Sequence, residues 1–435
     1  MDEKELTSAR RIITQNICLG TAAYVCVIGF FIYHFHFTEK LLYGADVCCL
    51  FLVLLDLKAV IRGICHKRLR IFGFLIVFLL ITATLYSLFN GFSFLRWLWS
   101  LRNWGRLFLY FYLFAGIITR EYAARFLKLT LVFFVINCIT VVVEYCILRQ
   151  DIPADARNGL MGRNTSTGHM IMAVMSIVVV CALYLGRQAG FRWLIVIYAS
   201  AFIVAAIAEL RALMIFSIAI FVILYFAYYG LKKVPHIILF LIISVAVICA
   251  SFMVMSLFHP WTAQYVSPER LINAVMSKSG YFGQGKIDRL TAVSVINNRV
   301  FDHDGILRKL FGIGMGNGEY SSFSFLCSPF WYEHGTDLGY LAFSVATIYL
   351  ESGYVGLSLY VLAMMYLVYD CWRHLVQLIR TGEQGAEYEL VGVGSALMSV
   401  VFIWYNNLHR TDMSIILAAY MAIPYVASRN SEKTI

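Results

Sequence analysis

Arg211 stands in Ala208-Glu209-Leu210-Arg211-Ala212, a polar interruption so short between two apolar runs that its guanidinium must lie at or just inside a membrane surface. A planar guanidinium grips phosphate oxygens through paired hydrogen bonds, so an arginine at the mouth of a helix bundle suits a phosphate. Glu209 offers the plainer alternative, a structural ion pair. The segment Asp151 to His169, DIPADARNGLMGRNTSTGH, supplies Arg157, Arg163 and Gly168 with Thr165, Ser166 and Thr167. Glycine lets backbone approach a ligand closely, and successive N–H groups can make an anion nest; a solvated connector has the same composition. Residues 259–337 add Arg270 and Arg289, an alternating glycine run from Gly312 through Gly314 and Gly316 to Gly318, and Glu333-His334-Gly335-Thr336-Asp337. The last of these offers an imidazole and carboxylates, the groups a general base would use. The glycine run lacks the preceding strand and the closing Lys-Ser/Thr of a phosphate loop, and reads as a sharp turn near the membrane. Asp302-His303-Asp304 reads as a solvated loop, because three adjacent residues rarely converge on one metal ion.

The elements that must position these groups follow from composition. The chain has 435 residues, of which 61% are hydrophobic and 14% charged, with a mean hydropathy of +0.76. Ordinary soluble domains are about a quarter charged, so a soluble enzyme is excluded. Disorder is excluded too, because there is ample apolar surface to bury. A polytopic, all-α transmembrane bundle remains. A spanning helix needs about 20 apolar residues, and twelve runs meet or approach this: 17–37, 44–61, 70–90, 104–119, 127–147, 169–186, 193–208, 211–229, 236–258, 338–369, 388–405 and 411–428. The chain thus divides into residues 1–258 with nine spans, an outer segment 259–337 with short helices, and residues 338–435 with three spans. No small-residue cleavage site follows the first run, which is read as a retained helix.

Lys and Arg in short loops set orientation, because they resist translocation. One set of loops holds twice as many as the other, and places both termini in the cytoplasm. The poorer, outer set is Lys40, Arg96, Arg102, Arg106, Arg149, Arg157, Arg163, Arg211 and Arg410. With the long segment, twelve of the sixteen outer cations are arginine. An anionic ligand on the outer face is the inference; the alternative for Arg96, Arg102 or Arg106 singly is a place at the level of lipid headgroups. The net charge of +10 is therefore topology and outer-face chemistry, with no nucleic-acid partner. The eleven cysteines lie mostly in or beside spans and read as small hydrophobes.

The run Leu338 to Tyr369 would make a straight helix of about 48 Å, longer than the hydrocarbon core requires. It should extend outside the membrane or break near Glu351-Ser352-Gly353, since an acid in mid-run is costly unless it faces the bundle interior or helps hold a break.

Four pieces, in order, resemble the bacterial O-antigen polymerase and ligase group, the Wzy- and WaaL-type membrane glycosyltransferases of the GT-C class. Arg157 to Gly168 is similar to the polymerases' Arg-x10-Gly pattern, and Leu210-Arg211-Ala212 opens a span as the family's second arginine does. Leu310-Phe311-Gly312-Ile313-Gly314-Met315-Gly316 resembles its loop motif. Leu350-Glu351-Ser352-Gly353-Tyr354-Val355-Gly356-Leu357 resembles its E-x-G-x-x-G helix signature. The resemblance spans roughly residues 150–370. The ligases carry a catalytic His, usually followed by Asn, shortly before that Glu; here the position is Ala342, followed by Phe343, a departure that favours a polymerase.

The resemblance implies an enzyme of the bacterial cytoplasmic membrane that joins undecaprenyl-diphosphate-linked glycan repeats at the outer leaflet, building O-antigen, capsule or another exopolysaccharide. An acceptor hydroxyl attacks the donor's anomeric carbon and the lipid diphosphate leaves. Arg157, Arg163, Arg211, Arg270, Arg289 and Gly168 would hold the substrate, and Asp337 or His334 would be the base. Gly312, Gly314, Glu351, Gly353 and Gly356 would be structural. No cofactor or metal is implied; membrane lipids, a chain-length regulator and a repeat-unit flippase are the expected partners. A ligase, or a transporter of anionic lipid-linked glycan, is the competing reading.

Overall fold

In lipid a backbone must satisfy its own hydrogen bonds, which favours helices, and every regular element among the described residues is helical. The structure, a computed structural model, describes residues 3–147, 157–162, 166–230, 286–302 and 305–428, with isolated positions 235, 238, 242, 253 and 256. Arg163 and Arg270, with His303 and Asp304, fall outside the described residues. The helices are α1 (Glu3–His34), α2 (Gly44–Leu55), α3 (Leu57–Ile64), α4 (Arg70–Phe89), α5 (Phe94–Ile117), α6 (Arg120–Ile147), α7 (Ser166–Leu185), α8 (Phe191–Ile207) and α9 (Arg211–Tyr229). They continue as α10 (Ala292–Arg299), α11 (Ile306–Phe311), α12 (Pro329–Leu338), α13 (Ser344–Thr381), α14 (Ala386–Tyr405) and α15 (Ser414–Ser428).

Seven of them, α1, α4 (counted from Lys67), α6, α7, α9, α13 and α14, are long and apolar enough to cross a membrane; α8 and α15 are shorter apolar helices. α7 is apolar all round and almost wholly enclosed, as a central helix should be. On α4, Ile71, Phe74, Phe78, Ile81 and Leu85 form an exposed stripe at helical spacing, while Phe72, Ile76 and Leu79 turn to the core. α13 packs along α4 and α14, and α15 is held between α5 and α14. The run expected to span 44–61 is two helices, because the Asp56 carboxylate accepts the Ala59 amide at 2.9 Å and starts α3 anew. At the end that carries Arg68, this side chain bonds Asp370 at 2.8 Å and both Glu389 oxygens at 2.9 Å, tying the start of α4 to α13 and α14.

The long run after residue 337 begins as a helix only at Ser344, because Gly339 takes a left-handed conformation that ends α12. It breaks where its length and its buried acid demand: Gly353 has φ 63° and ψ −161° inside α13. A break frees carbonyls that the next turn would have bonded. The glycine run supplies the missing donors, with Ile313 N–H on the Leu350 carbonyl at 2.8 Å and Gly314 N–H on that of Glu351 at 3.1 Å. The approach leaves no room for side chains: a Cβ on Gly312 would lie 2.4 Å from the Leu350 oxygen, and one on Gly353 2.3 Å from the Leu310 carbonyl carbon.

Glu351 closes the arrangement. It is 2% exposed, and one carboxylate oxygen accepts Ser100 Oγ and Trp104 Nε1, both at 3.0 Å. The other accepts the amides of Gly316 at 3.0 Å and Gly318 at 3.2 Å. The carboxylate therefore clamps α5 to the glycine run across the break in α13.

Candidate functional site

α5 is longer than the run expected over 104–119, and the difference carries chemistry. It reaches back to Phe94, so Arg102 and Arg106 are a helical i, i+4 pair rather than loop cations, and both turn toward the protein. Beside them lie the turn Thr38–Tyr43, the segment 318–323 that follows the glycine run, and the loop 406–413 joining α14 to α15. Together these enclose a cavity of about 740 Å³ whose charged lining is Lys40, Arg102, Arg106 and Arg410 against Glu39 and Asp412. All four cations belong to the outer set of the charge count.

Buried cations are costly unless paired, and each arginine here is met by an acid. Arg106, only 3% exposed, pairs with Asp412, lies 4.0 Å from Asp46, and donates to the His409 carbonyl at 3.3 Å. Its Nε has no partner among the described residues. Arg102 bonds Asp46 through Nε at 3.0 Å and stacks over the rings of Tyr43 and Trp99, at 5.0 and 4.7 Å. Arg410 bonds Glu319 and the Tyr320 carbonyl, both at 2.6 Å, and Asn103 donates to the same Glu319 oxygen at 3.1 Å. Glu319 is set by the clamped glycine run, since Tyr340 fixes the preceding Gly318 carbonyl at 2.6 Å. Beneath Arg106, His409 is boxed by Trp104, Phe108 and Tyr360. Burial, aided by Arg106, holds its imidazole down to about 3, so the ring is neutral. Burial pushes the Asp412 carboxyl up, against the opposing pull of Arg106.

Two further spaces adjoin the cationic cavity. A groove of about 820 Å³ between α2 and α5, lined by leucines with Phe323 and Phe325, shares Tyr43, Trp99, Arg102 and Arg106 with it. A smaller space of about 260 Å³, lined by Thr167, Gly168, Asn407 and Thr411, shares Leu42, Arg410 and Asp412. Such an arrangement can seat an amphiphile, its anionic head among the arginines and its apolar chain in the groove. Among the described residues no group of three His, Cys, Asp or Glu side chains is placed to hold a metal ion.

The residues singled out from the sequence lie around this centre in different ways. Gly168 lines the smaller space, where a Cβ would meet the Met413 side chain at 2.7 Å. Arg157 is buried and stacks over Tyr145 at 5.1 Å. Its segment is pinned where Glu144 accepts the Gly159 amide at 2.9 Å, Asn137 accepts that of Leu160 at 2.9 Å, and His169 meets Asn158 at 3.1 Å. Arg211 pairs with Glu209, whose φ of 57° makes the tight turn into α9. Arg289 stacks over Tyr405 at 4.1 Å, beside Phe216 of α9. Arg157, Arg211 and Arg289 line none of the three spaces. His334 packs on Phe330 and Asp337 is exposed, both on α12 away from the three spaces. Gly312, Gly314, Glu351 and Gly353 form the break and its brace. Gly356 lies one turn on, closely packed against Ser352 of its own helix.

Sequence reasoning passed over Arg102, Arg106 and Arg410 as single outer cations. The i, i+4 spacing of the first two, with Asn103 between, was the available signal. Compared with known protein families and with curated proteins, the chain matches none.

Proposed function

We propose that the protein is a membrane glycosyltransferase that polymerises undecaprenyl-diphosphate-linked oligosaccharide repeats at the outer leaflet of the bacterial cytoplasmic membrane. In this reading the bundle is GT-C-like, with about twelve spans and both termini in the cytoplasm. The observation that carries it is the cationic cavity opening through a shared wall onto an apolar groove. A lipid diphosphate has the matching shape, two phosphates on an apolar chain. Glycosyl transfer places growing negative charge on the leaving diphosphate, and fixed guanidinium groups stabilise such charge without reorganising. Arg102 and Arg106 are held in place by Asp46 and Asp412 before any ligand arrives. The ordered motifs between Arg157 and Gly356 support the same reading. They add Arg157, Arg163, Arg211, Arg270 and Arg289 as substrate contacts. An Arg211→Ala protein that inserts normally and keeps full polymer length would remove Arg211 from that set.

The test is direct. Purified protein in nanodiscs, given a polyprenyl-diphosphate-linked repeat, should lengthen the glycan and release the lipid diphosphate. Transfer of finished polymer to a different acceptor would make it a ligase. Movement of the lipid across a vesicle without covalent change would make it a transporter.

A further inference from the structure

We propose that Asp412 divides the outer cavity into a donor and an acceptor compartment and is the general base that deprotonates the acceptor hydroxyl. The inference rests on the glycosyltransferase reading and assigns the base within it. Three residues line both the larger and the smaller space: Leu42, Arg410 and Asp412. Of these only Asp412 can accept a proton. The two spaces differ in chemistry as donor and acceptor subsites should. The larger is cationic and continuous with the apolar groove, and suits a lipid diphosphate. The smaller has no second cation besides Arg410 and sets Thr167 and Thr411, whose hydroxyls can pair with sugar hydroxyls, among the apolar side chains of Val25, Ile28, Met161 and Met413.

The carboxylate is poised for the transfer. Its Oδ1 is held by Arg106 Nη1, while Oδ2 accepts no hydrogen bond among the described residues. The other acids near Arg102, Arg106 and Arg410 do not bridge the compartments. Glu39 lines only the larger space, and Asp46 and Glu319 line neither of the two. In the step, the acceptor hydroxyl gives its proton to Asp412 Oδ2 as its oxygen bonds the donor's anomeric carbon. The bond from that carbon to the diphosphate oxygen breaks, and its electron pair leaves on the diphosphate, which meets Arg102 and Arg106 where both line the larger space. Arg106 thus touches base and leaving group together. Gly168 gains a physical role, because any side chain there would displace Met413 next to the base.

The experiment uses the full chain in nanodiscs with a lipid-linked repeat as donor and acceptor. Asp412→Asn keeps the size and the Oδ1 contact to Arg106; a lost general base lowers kcat by about 100-fold to 10,000-fold, with donor-lipid binding unchanged. Asp412→Glu should restore part of the rate, and Thr411→Val should raise KM for the acceptor while leaving kcat near normal. Wild-type rates in Asp412→Asn, with active wild-type protein, would overturn the assignment and leave the polymerase reading standing. So would equal loss of donor binding and rate in both Asp412 variants, which would mark a purely structural ion pair. Wild-type protein that lengthens no glycan would overturn the reading and the assignment together.

Discussion

Replacing Glu351 with alanine should weaken the protein through four orphaned donors rather than through lost charge. The hydroxyl of Ser100, the indole N–H of Trp104 and the amides of Gly316 and Gly318 all end on this carboxylate, and the site is 2% exposed, so water cannot take its place freely. At about 1 kcal/mol for each orphaned buried donor, the loss is about 4 kcal/mol. A chain unfolded within a membrane finds other partners, and at about 0.6 kcal/mol per bond the loss falls to about 2 kcal/mol. Glu351→Gln should cost about half as much, since one oxygen keeps its two donors while the new amide faces two others. Unfolding in mixed micelles reads the free energy, and hydrogen exchange at Gly316 and Gly318 reads the local effect. Because the same clamp sets Glu319 and hence Arg410, the alanine variant should also lose affinity for the lipid diphosphate. A change below about 1 kcal/mol, or unaltered exchange at those two amides, would refute the clamp.

Gly353→Ala combines a φ of 63° with a Cβ 2.3 Å from Leu310 and should cost more than about 2 kcal/mol. Gly91→Ala, at φ 82° with open space around it, should cost only the conformational part, about 1–2 kcal/mol, and melting of the two variants separates strain from collision. Arg106→Ala leaves the partly buried Asp412 without its ion-pair partner and should lower stability by about 1–3 kcal/mol, with donor-lipid binding lost in a titration; Arg106→Lys should recover stability better than binding. His409 has its folded pKa held at about 3 against 6.5 when exposed, so its contribution is complete above 6.5 and is lost as pH falls. From about pH 7 to about pH 5 that loss is about 2 kcal/mol, and the unfolding free energy of His409→Asn should be less steep in pH than that of the wild type by this amount.

Much of the helical layout follows from local rules. The break in α13 was legible because it needs only a run too long for the bilayer, an acid within it and a glycine able to turn. The brace was not, since Ser100 and Trp104 lie about 250 positions before Glu351 and no periodicity links them. The role of the glycine run was also hidden. Its spacing suggests a turn, but its function is to lend amides to carbonyls freed by a break elsewhere. The apolar run 104–119 leaves out the first turns of α5, because Arg96 and Arg102 lower the hydropathy there. In the fold they are helical, with Arg102 and Arg106 each satisfied by an acid from another segment, which removes the cost that a local reading assigns to them.

By itself the sequence determined a chain of apolar helices suited to a membrane, because continuous apolar runs of about 20 residues satisfy their backbone within each run, unlike the short alternating strands of a barrel. It also sorted the Lys and Arg of the short loops into two alternating sets, one twice as large as the other, since charge distribution along the chain is a local property. Only the tertiary structure decided which arginines act together. Lys40, Arg102, Arg106 and Arg410 come from three distant segments, and what joins them is helix packing and the pairing of buried charge. Both depend on contacts between residues far apart in the chain, which spacing and composition do not encode.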